Sequence, residues 1–140
     1  MINTLNTAII VAAGSGSRLA SQIPKQFLKL NGREILSYSV QTFLEHPEIH
    51  KVIIVTSAVY LRSVTSSYPE CQVVPGGPTR QDSVSNGLSA CSKNTQFVLV
   101  HDAARPLIPA YIIDACLQKL TTYDGVAPAI TPTDSMVQIT

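Results

Sequence analysis

Short apolar runs alternate with segments of helical spacing along this chain. Continuous apolar or β-branched runs of about strand length are typical of strands buried on both faces of a sheet. Such runs occupy residues 8–11, 51–56, 71–74 and 97–100, and a further one, 125–130, predicts a fifth strand. Polar and apolar residues alternate over 25–30, which predicts a short, half-exposed strand before the Asn31-Gly32 turn signal.

Apolar residues recur at helical spacing between these runs. A helix is predicted over 35–45, ended by Pro47, with an apolar face made of Leu36, Val40, Phe43 and Leu44. Another is predicted over 110–123, with a face made of Ile113, Cys116, Leu117 and Leu120. A short helix within 57–67 and one capped by Thr79 or Asp82, with Val84 and Leu88 on its apolar face, complete the set. Strands that alternate with helices predict an α/β fold with a mostly parallel sheet.

Three unusual loops follow predicted strands. They occupy residues 12–18, 76–80 and 101–105. Ligands of such sheets bind at the carboxyl ends of the strands, where all three loops would meet. We therefore expect the three loops to form one site.

The first of these loops has the composition of a phosphate cradle. Gly14 and Gly16 let backbone N–H groups approach a phosphate closely, and Arg18 and Lys25 suit a polyphosphate whose charge grows during reaction. The spacing of a P-loop is absent, and Leu19 stands where a dinucleotide-binding loop needs its third glycine or alanine. A nucleotidyltransferase loop, with a triphosphate along it and cations on the α-phosphate, is the third interpretation.

Composition narrows the class of protein. The 140 residues suit one compact domain, and 45% hydrophobic with 14% charged residues indicates a folded chain. A net charge of +1 argues against a general nucleic-acid or membrane binder, and no apolar run has the length of a membrane span. The N-terminus lacks the basic region of a secretory signal. The three cysteines, Cys71, Cys91 and Cys116, lack C-x-x-C spacing and are typical of reduced core residues. We therefore expect a cytoplasmic protein.

The chain resembles a known enzyme family in four ordered blocks. Residues 11–40, VAAGSGSRLASQIPKQFLKLNGREILSYSV, are similar to the signature of sugar-phosphate nucleotidyltransferases. Within them the chain most resembles the cytidylyltransferases of the methylerythritol phosphate route to isoprenoids. Residues 76–84 and 101–106 and the pair Asp134-Ser135 agree with this resemblance, which covers nearly all of the chain.

The resemblance implies a fold and a reaction. The fold would be a Rossmann-like, three-layer nucleotidyltransferase fold, with residues 1–140 as a single CTP-binding domain. The reaction would transfer CMP from CTP to 2-C-methyl-D-erythritol 4-phosphate with Mg²⁺, giving 4-diphosphocytidyl-2-C-methyl-D-erythritol and pyrophosphate. Family chains continue beyond Thr140, so we expect an N-terminal portion that lacks the C-terminal part and dimer arm of a homodimeric enzyme. A ribitol-5-phosphate cytidylyltransferase and a catalytically silent nucleotide-binding fragment are the alternatives. The pair Ala103-Ala104 after Asp102 favours the methylerythritol phosphate enzyme over the ribitol phosphate enzyme.

The resemblance also implies roles for particular residues. Arg18 and Lys25 would stabilise the transition state, and Asp102 would engage the metal. The nucleotide would be held by Ala12, Ala13, Gly14, Ser15, Gly16, Gly77, Ser83 and Ala103. The polyol phosphate would be faced by Arg105, Asp134 and Ser135. Plainer structural roles compete with several of these: ion pairing for Arg105, a turn cap for Asp102, a first-turn helix position for Ser83, and hydrogen bonding rather than catalysis for His101.

Overall fold

A parallel sheet forms the centre of the first of two compact units, Met1–Pro109 and Ala110–Thr140. The computed structural model describes residues 4–15, 23–131 and 133. The sheet contains β1 (Leu5–Ala12), β4 (Lys51–Thr56), β5 (Gln72–Pro75) and β6 (Thr95–Asp102), in the order β5-β4-β1-β6. All three neighbouring pairs are parallel, which confirms the predicted mostly parallel α/β sheet.

The sheet is central because its middle strands are apolar on both faces. Ile9 and Ile10 of β1 and Ile53 and Ile54 of β4 are fully buried, so each strand packs above and below. The four predicted apolar strands are confirmed, and β6 is longer at both ends than the apolar run that predicts it. A small hairpin, β2 (Lys29–Leu30) with β3 (Arg33–Glu34), turns through Asn31-Gly32. Both turn residues have positive φ, 50° and 81°, as a two-residue hairpin turn requires.

In the first unit, helices pack against the sheet. The helices of the first unit are α1 (Ile35–Glu45), α2 (Leu61–Ser67) and α3 (Arg80–Ser89), with short 3₁₀ turns at Lys25–Phe27 and Ala58–Tyr60. The second unit contains α4 (Ala110–Leu120), in which Ile113 and Leu117 are buried. The predicted helix over 35–45 matches α1, while the one over 110–123 ends at Leu120. No helix within the described ranges is both long and apolar enough to span a membrane.

The face of α3 that packs differs from the predicted one. Leu88 is exposed and Val84 only half-buried, whereas Ser83 and Gly87 are buried. A Cβ at Gly87 would lie 2.7 Å from Cγ2 of Ile9, so this glycine lets the helix approach the sheet closely. The prediction was wrong because it looked for large apolar residues, and this contact is made by small ones.

Two predicted strands need correction. Residues 25–27 form a 3₁₀ turn, and only Lys29–Leu30 of the segment 25–30 belongs to a strand. The alternating pattern predicted a half-exposed strand. Gln26 is instead buried, and its side chain hydrogen-bonds to the backbone of Ala12. Residues 125–130 have no regular structure, and Ile130 is exposed. No strand of the described residues pairs with this segment, and an extended chain without a neighbour leaves its backbone groups unpaired.

The strand order places a crevice at a definite point. From β1 the chain adds β4 and then β5 on one side, and β6 then returns to the other side of β1. Such a reversal is a topological switch point, where the loops leaving adjacent strands diverge and open a crevice at the carboxyl ends. Here the reversal lies between β1 and β6, so the loops after these two strands flank the crevice.

Candidate functional site

A cavity of about 460 Å³ opens at the carboxyl ends of the strands. Its walls come from the end of β1 and the loop after it, the loop between β5 and α3 with the start of α3, and the end of β6. The lining residues are Val11, Ala13, Gly14, Ser15, Gly77, Pro78, Thr79, Arg80, Ser83 and Asp102. The three loops that the sequence predicts at one edge therefore contribute to one cavity.

The glycine-rich loop is held from behind by Gln26. The Nε2 amide of Gln26 donates to the carbonyl oxygens of Ala12, at 2.7 Å, and Gly14, at 3.0 Å. The Gln26 side chain is almost completely buried, at 5% exposure. Sequence reasoning missed this residue because nothing in a polar-apolar alternation marks a buried amide that binds a distant loop.

Two glycines let the second loop approach the first. A Cβ on Gly76 would lie 2.5 Å from Cβ of Ala13 and 2.8 Å from Oγ of Ser83. A Cβ on Gly77 would collide with Cβ of Asp82. Since neither position has space for a side chain, both glycines are required for the observed cavity wall.

A capping box shapes the start of α3. Thr79 is the N-cap, and its Oγ1 accepts from the backbone N–H of Asp82 at 3.0 Å. The Asp82 carboxylate in turn accepts from the backbone N–H of Thr79 at 3.1 Å. Thr79 is therefore the cap and Asp82 the third helical residue, which settles the alternatives that the sequence left open. The N-terminus of α3, with its partial positive charge, lies at the cavity wall.

Ser83 makes hydrogen bonds within the cavity wall. Its Oγ accepts from the backbone N–H of Gly77 at 3.2 Å and donates to the carbonyl of Thr79 at 3.0 Å. The residue is 1% exposed. The hydroxyl therefore fixes the loop between β5 and α3, and its oxygen keeps a second acceptor lone pair. The role of Ser83 in nucleotide contact stays a prediction.

Asp102 is surrounded by two arginines. Arg80 donates from Nε at 3.1 Å and from Nη2 at 2.9 Å to Oδ1 of Asp102, while Nε of Arg105 lies 3.4 Å from Oδ2. The Asp102 side chain keeps 37% exposure, and the arginine side chains keep 63% and 79%. Pairs this exposed contribute little to stability. Two guanidinium groups around one carboxylate do leave a positive charge beside the cavity, which favours an anionic ligand.

The carboxylates at the cavity indicate what kind of Mg²⁺ site it could form. The described residues contain no group of three or more His, Cys, Asp or Glu side chains able to hold a metal by themselves. Among the described lining residues, Asp102 is the only carboxylate. Mg²⁺ in phosphate sites typically uses one or two carboxylates and otherwise binds phosphate and water, so this donor set fits a phosphate-bound ion. Arg80 competes with such an ion for Oδ1 of Asp102.

His101 links the end of β6 to α1. Its Nε2 lies 2.9 Å from the carbonyl of Arg105 and 3.1 Å from Oγ of Ser39, and its ring packs on Phe43 with 5.3 Å between ring centroids. A carbonyl can only accept, so Nε2 carries the proton in the neutral ring. These contacts match the structural role that the sequence favours over catalysis, because they fix the turn that follows Asp102.

Burial of His101 makes the free energy of unfolding depend on pH. Desolvation lowers the pKa of His101 below its ordinary 6.5, against the opposing effects of the Arg105 carbonyl and the Asp102 charge. The folded state therefore prefers the neutral ring. Its contribution to the free energy of unfolding is complete above about pH 6.5 and is lost as the pH falls through the lower, folded-state pKa.

We expect the free energy of unfolding to fall as the pH drops below about 6.5, and His101→Gln to reduce that fall. The glutamine amide can still donate to the Arg105 carbonyl but does not titrate. Urea unfolding of both proteins across this range provides the measurement. An identical pH slope in the two proteins would show that His101 does not carry this dependence.

The three cysteines are free thiols. Cys71 is buried, and Cys91 and Cys116 are half-buried. Burial raises the pKa of the Cys71 thiol to about 11, with the nearby Glu70 charge acting in the same direction. A thiol that stays protonated is a poor nucleophile and metal ligand, which agrees with the predicted core role.

The predicted site residues fall into three groups. Those that line the cavity are Ala13, Gly14, Ser15, Gly77, Ser83 and Asp102. Those that are described but do not line it are Ala12, Lys25, Ala103 and Arg105. Ala12 and Ala103 are buried, and the N–H of Ala103 donates to the carbonyl of Val11 at 3.0 Å. Those that lie outside the described residues are Gly16, Arg18, Asp134 and Ser135. Val11, Pro78, Thr79 and Arg80 also line the cavity without a predicted role of their own, although the last three belong to the predicted loop 76–80.

Comparison with known proteins places this chain in a family. A sequence model of the 2-C-methyl-D-erythritol 4-phosphate cytidylyltransferase family matches residues 6–140. The chain belongs to this family. The cytidylyltransferase of that name from Clostridium botulinum (strain Loch Maree) is 39% identical over 137 residues, which cover 94% of this chain and 60% of that protein. Its counterpart from Shewanella loihica is 41% identical over 121 residues, covering 84% of this chain and 50% of that protein.

Solved cytidylyltransferase structures share the fold. The enzyme from Francisella tularensis is 31% identical, with a TM-score of 0.69 over 86% of this chain and 54% of that one. The 4-diphosphocytidyl-2C-methyl-D-erythritol synthase from Anaerococcus prevotii is 26% identical, with a TM-score of 0.74 over 85% of this chain and 52% of that one. The chain spans about 60% of the length of the cytidylyltransferases of Clostridium botulinum that it matches.

Proposed function

We propose that this chain is the CTP-binding portion of a cytidylyltransferase that transfers CMP from CTP to 2-C-methyl-D-erythritol 4-phosphate. The observation that carries the proposal is the cavity itself. It brings the glycine-rich loop, the Gly76-Gly77 loop with the start of α3, and Asp102 to one sheet edge in a chain of this family. The product would be 4-diphosphocytidyl-2-C-methyl-D-erythritol, with pyrophosphate released.

The cavity suits a nucleoside triphosphate. Gly14 and Ser15 line it as part of a loop whose backbone can approach phosphates, and the N-terminus of α3, which also lines it, favours negative charge. The cytosine would lie near Ala13 and Gly77, where backbone groups can read its edge. Ala12 and Ala103 would support this wall from below, since both are buried.

The chemistry needs cations and positioning rather than a base. The substrate phosphate is already an anion, so it can attack the α-phosphorus in line while pyrophosphate leaves on the opposite side. Charge grows on the phosphoryl oxygens, and Lys25 with Arg18 would stabilise it there. Mg²⁺ would supply further neutralisation of the triphosphate charge, and Asp102 would hold it.

A second part of the site would bind the polyol phosphate. Arg105 would contribute a cation there, since its side chain is exposed beside Asp102, and Asp134 and Ser135 would join it. The Ala103-Ala104 pair and the family match both favour methylerythritol phosphate over ribitol phosphate. A homodimer and a cytoplasmic location remain expectations for the complete enzyme.

Pyrophosphate release tests the proposal directly. The chain is incubated with CTP, Mg²⁺ and either 2-C-methyl-D-erythritol 4-phosphate or ribitol 5-phosphate, and CTP binding is measured separately by calorimetry. Turnover with the first polyol phosphate is expected. Turnover with ribitol 5-phosphate alone would overturn the substrate assignment, and CTP binding without turnover would favour the silent nucleotide-binding fragment.

A further inference from the structure

Gln26 is the buried polar side chain that touches the glycine-rich loop. Both of its amide hydrogens are used, one on the carbonyl of Ala12 and one on that of Gly14. We infer that Gln26 is a positioning residue of the nucleotide site, which sets the backbone conformation of the glycine-rich loop for phosphate binding. The inference rests on the proposed CTP site and adds a role that the sequence does not indicate.

Hydrogen bonds from Gln26 to these carbonyls would favour phosphate binding for two reasons. A loop rich in glycine has many conformations to lose, so ordering it costs conformational entropy. A carbonyl oxygen that faces a phosphate also repels it, because both carry negative charge. Gln26 engages the carbonyl oxygens on either side of Ala13 in hydrogen bonds, which restricts the backbone of residues 12–14 before CTP arrives.

The segment that carries Gln26 is itself well anchored. The N–H of Phe27 donates to the carbonyl of Pro24 at 3.0 Å, and that of Leu28 donates to Lys25 at 3.1 Å. The Phe27 ring packs on Tyr60 with 4.4 Å between ring centroids. The backbone N–H of Ile35 donates to the carbonyl of Leu28 at 2.9 Å. Gln26 therefore connects the loop to a rigid turn, and that turn also carries Lys25.

Gln26→Glu removes the two amide hydrogen-bond donors of the side chain with almost no change in its shape. An ionised carboxylate has no hydrogen to donate and would repel both carbonyls, while a protonated one recovers a single donor. Burial raises the pKa of such a carboxyl, so the defect should be largest near about pH 8 and smaller near about pH 6. We expect CTP binding about tenfold or more weaker than in the wild type near the higher pH, and partial recovery near the lower one.

Two further variants make the test specific. Gln26→Met keeps the length without donors or charge, so its weaker CTP binding should not recover as the pH falls. Gln96→Glu introduces the same charge at an exposed position of β6 and should bind CTP like the wild type. Hydrogen exchange of residues 13–15, measured without nucleotide and compared with the wild type at the same pH, reports the loop directly. It should be faster in both Gln26 variants.

The outcomes separate this inference from the proposed function. If the wild type binds CTP and both Gln26 variants bind it equally well with unchanged loop exchange, Gln26 has no positioning role. If the wild type does not bind CTP, the proposed function fails. Loop exchange then decides about Gln26 on its own: unchanged exchange overturns the role, and faster exchange with recovery of Gln26→Glu at the lower pH supports it.

Discussion

Alanine in place of Lys25 is expected to lower kcat by about two to four orders of magnitude, with a smaller loss of CTP affinity. Lys25 stands on the 3₁₀ turn Lys25–Phe27, beside the residue that binds the glycine-rich loop, and its side chain is exposed. An ammonium group at this position would stabilise charge that grows on the α-phosphoryl group as pyrophosphate leaves. It contributes most in the transition state, so the loss should appear in kcat.

Lys93→Ala provides the matched control for this variant. Lys93 is an exposed lysine in the turn before β6, so its removal changes net charge equally without touching the cavity. Steady-state pyrophosphate release gives kcat, and calorimetry gives the CTP affinity of each protein. Loss of CTP binding with an unchanged kcat at saturating CTP would contradict the transition-state role of Lys25.

Gly76→Ala should damage both the cavity and the fold around it. The new Cβ would lie 2.5 Å from Cβ of Ala13 and 2.8 Å from Oγ of Ser83, closer than real contacts allow. The first and second loops must separate, and Ser83 must give up its present rotamer. We expect the free energy of unfolding to fall by about 1–3 kcal/mol and CTP binding to weaken about tenfold to a hundredfold.

Urea unfolding and CTP calorimetry measure the two effects of Gly76→Ala. Gly125→Ala is the control, because a Cβ at Gly125 meets no atom within 4 Å. It should leave the free energy of unfolding and CTP binding close to those of the wild type. If Gly76→Ala bound CTP with wild-type affinity, the close approach of the two loops would not be needed for the nucleotide site.

Local patterns predicted most of the first unit. The buried strand β4 and the helix α1 have the predicted bounds. Each has a clear pattern of apolar residues, continuous in β4 and at helical spacing in α1, and a turn or proline marks its end. The Asn31-Gly32 turn was readable for the same reason: its residues accept the positive φ that the hairpin imposes. The helix α3 was predicted with the wrong buried face, because its contact with the sheet is made through Gly87.

The site was readable in part. Glycines and charged residues after predicted strands indicate a shared edge, and the cavity contains six of the predicted residues. The contacts of Gln26 and Arg80 were not predicted, since each residue binds a partner far away in the sequence. Gln26 binds carbonyls 12 and 14 residues earlier, and Arg80 binds a carboxylate 22 residues later. No local pattern encodes such a pairing.

The α/β alternation, the glycine-rich and charged loops and the family can all be read from the sequence alone. Each of these depends on short-range patterns: the period of apolar residues, the backbone freedom of glycine, and the order of motifs. In contrast, the burial of Gln26 against the glycine-rich loop and the position of Asp102 between two arginines depend on the tertiary structure. Hydrogen bonds and ion pairs between distant residues depend on strand order and register, which bring together side chains that the chain keeps apart.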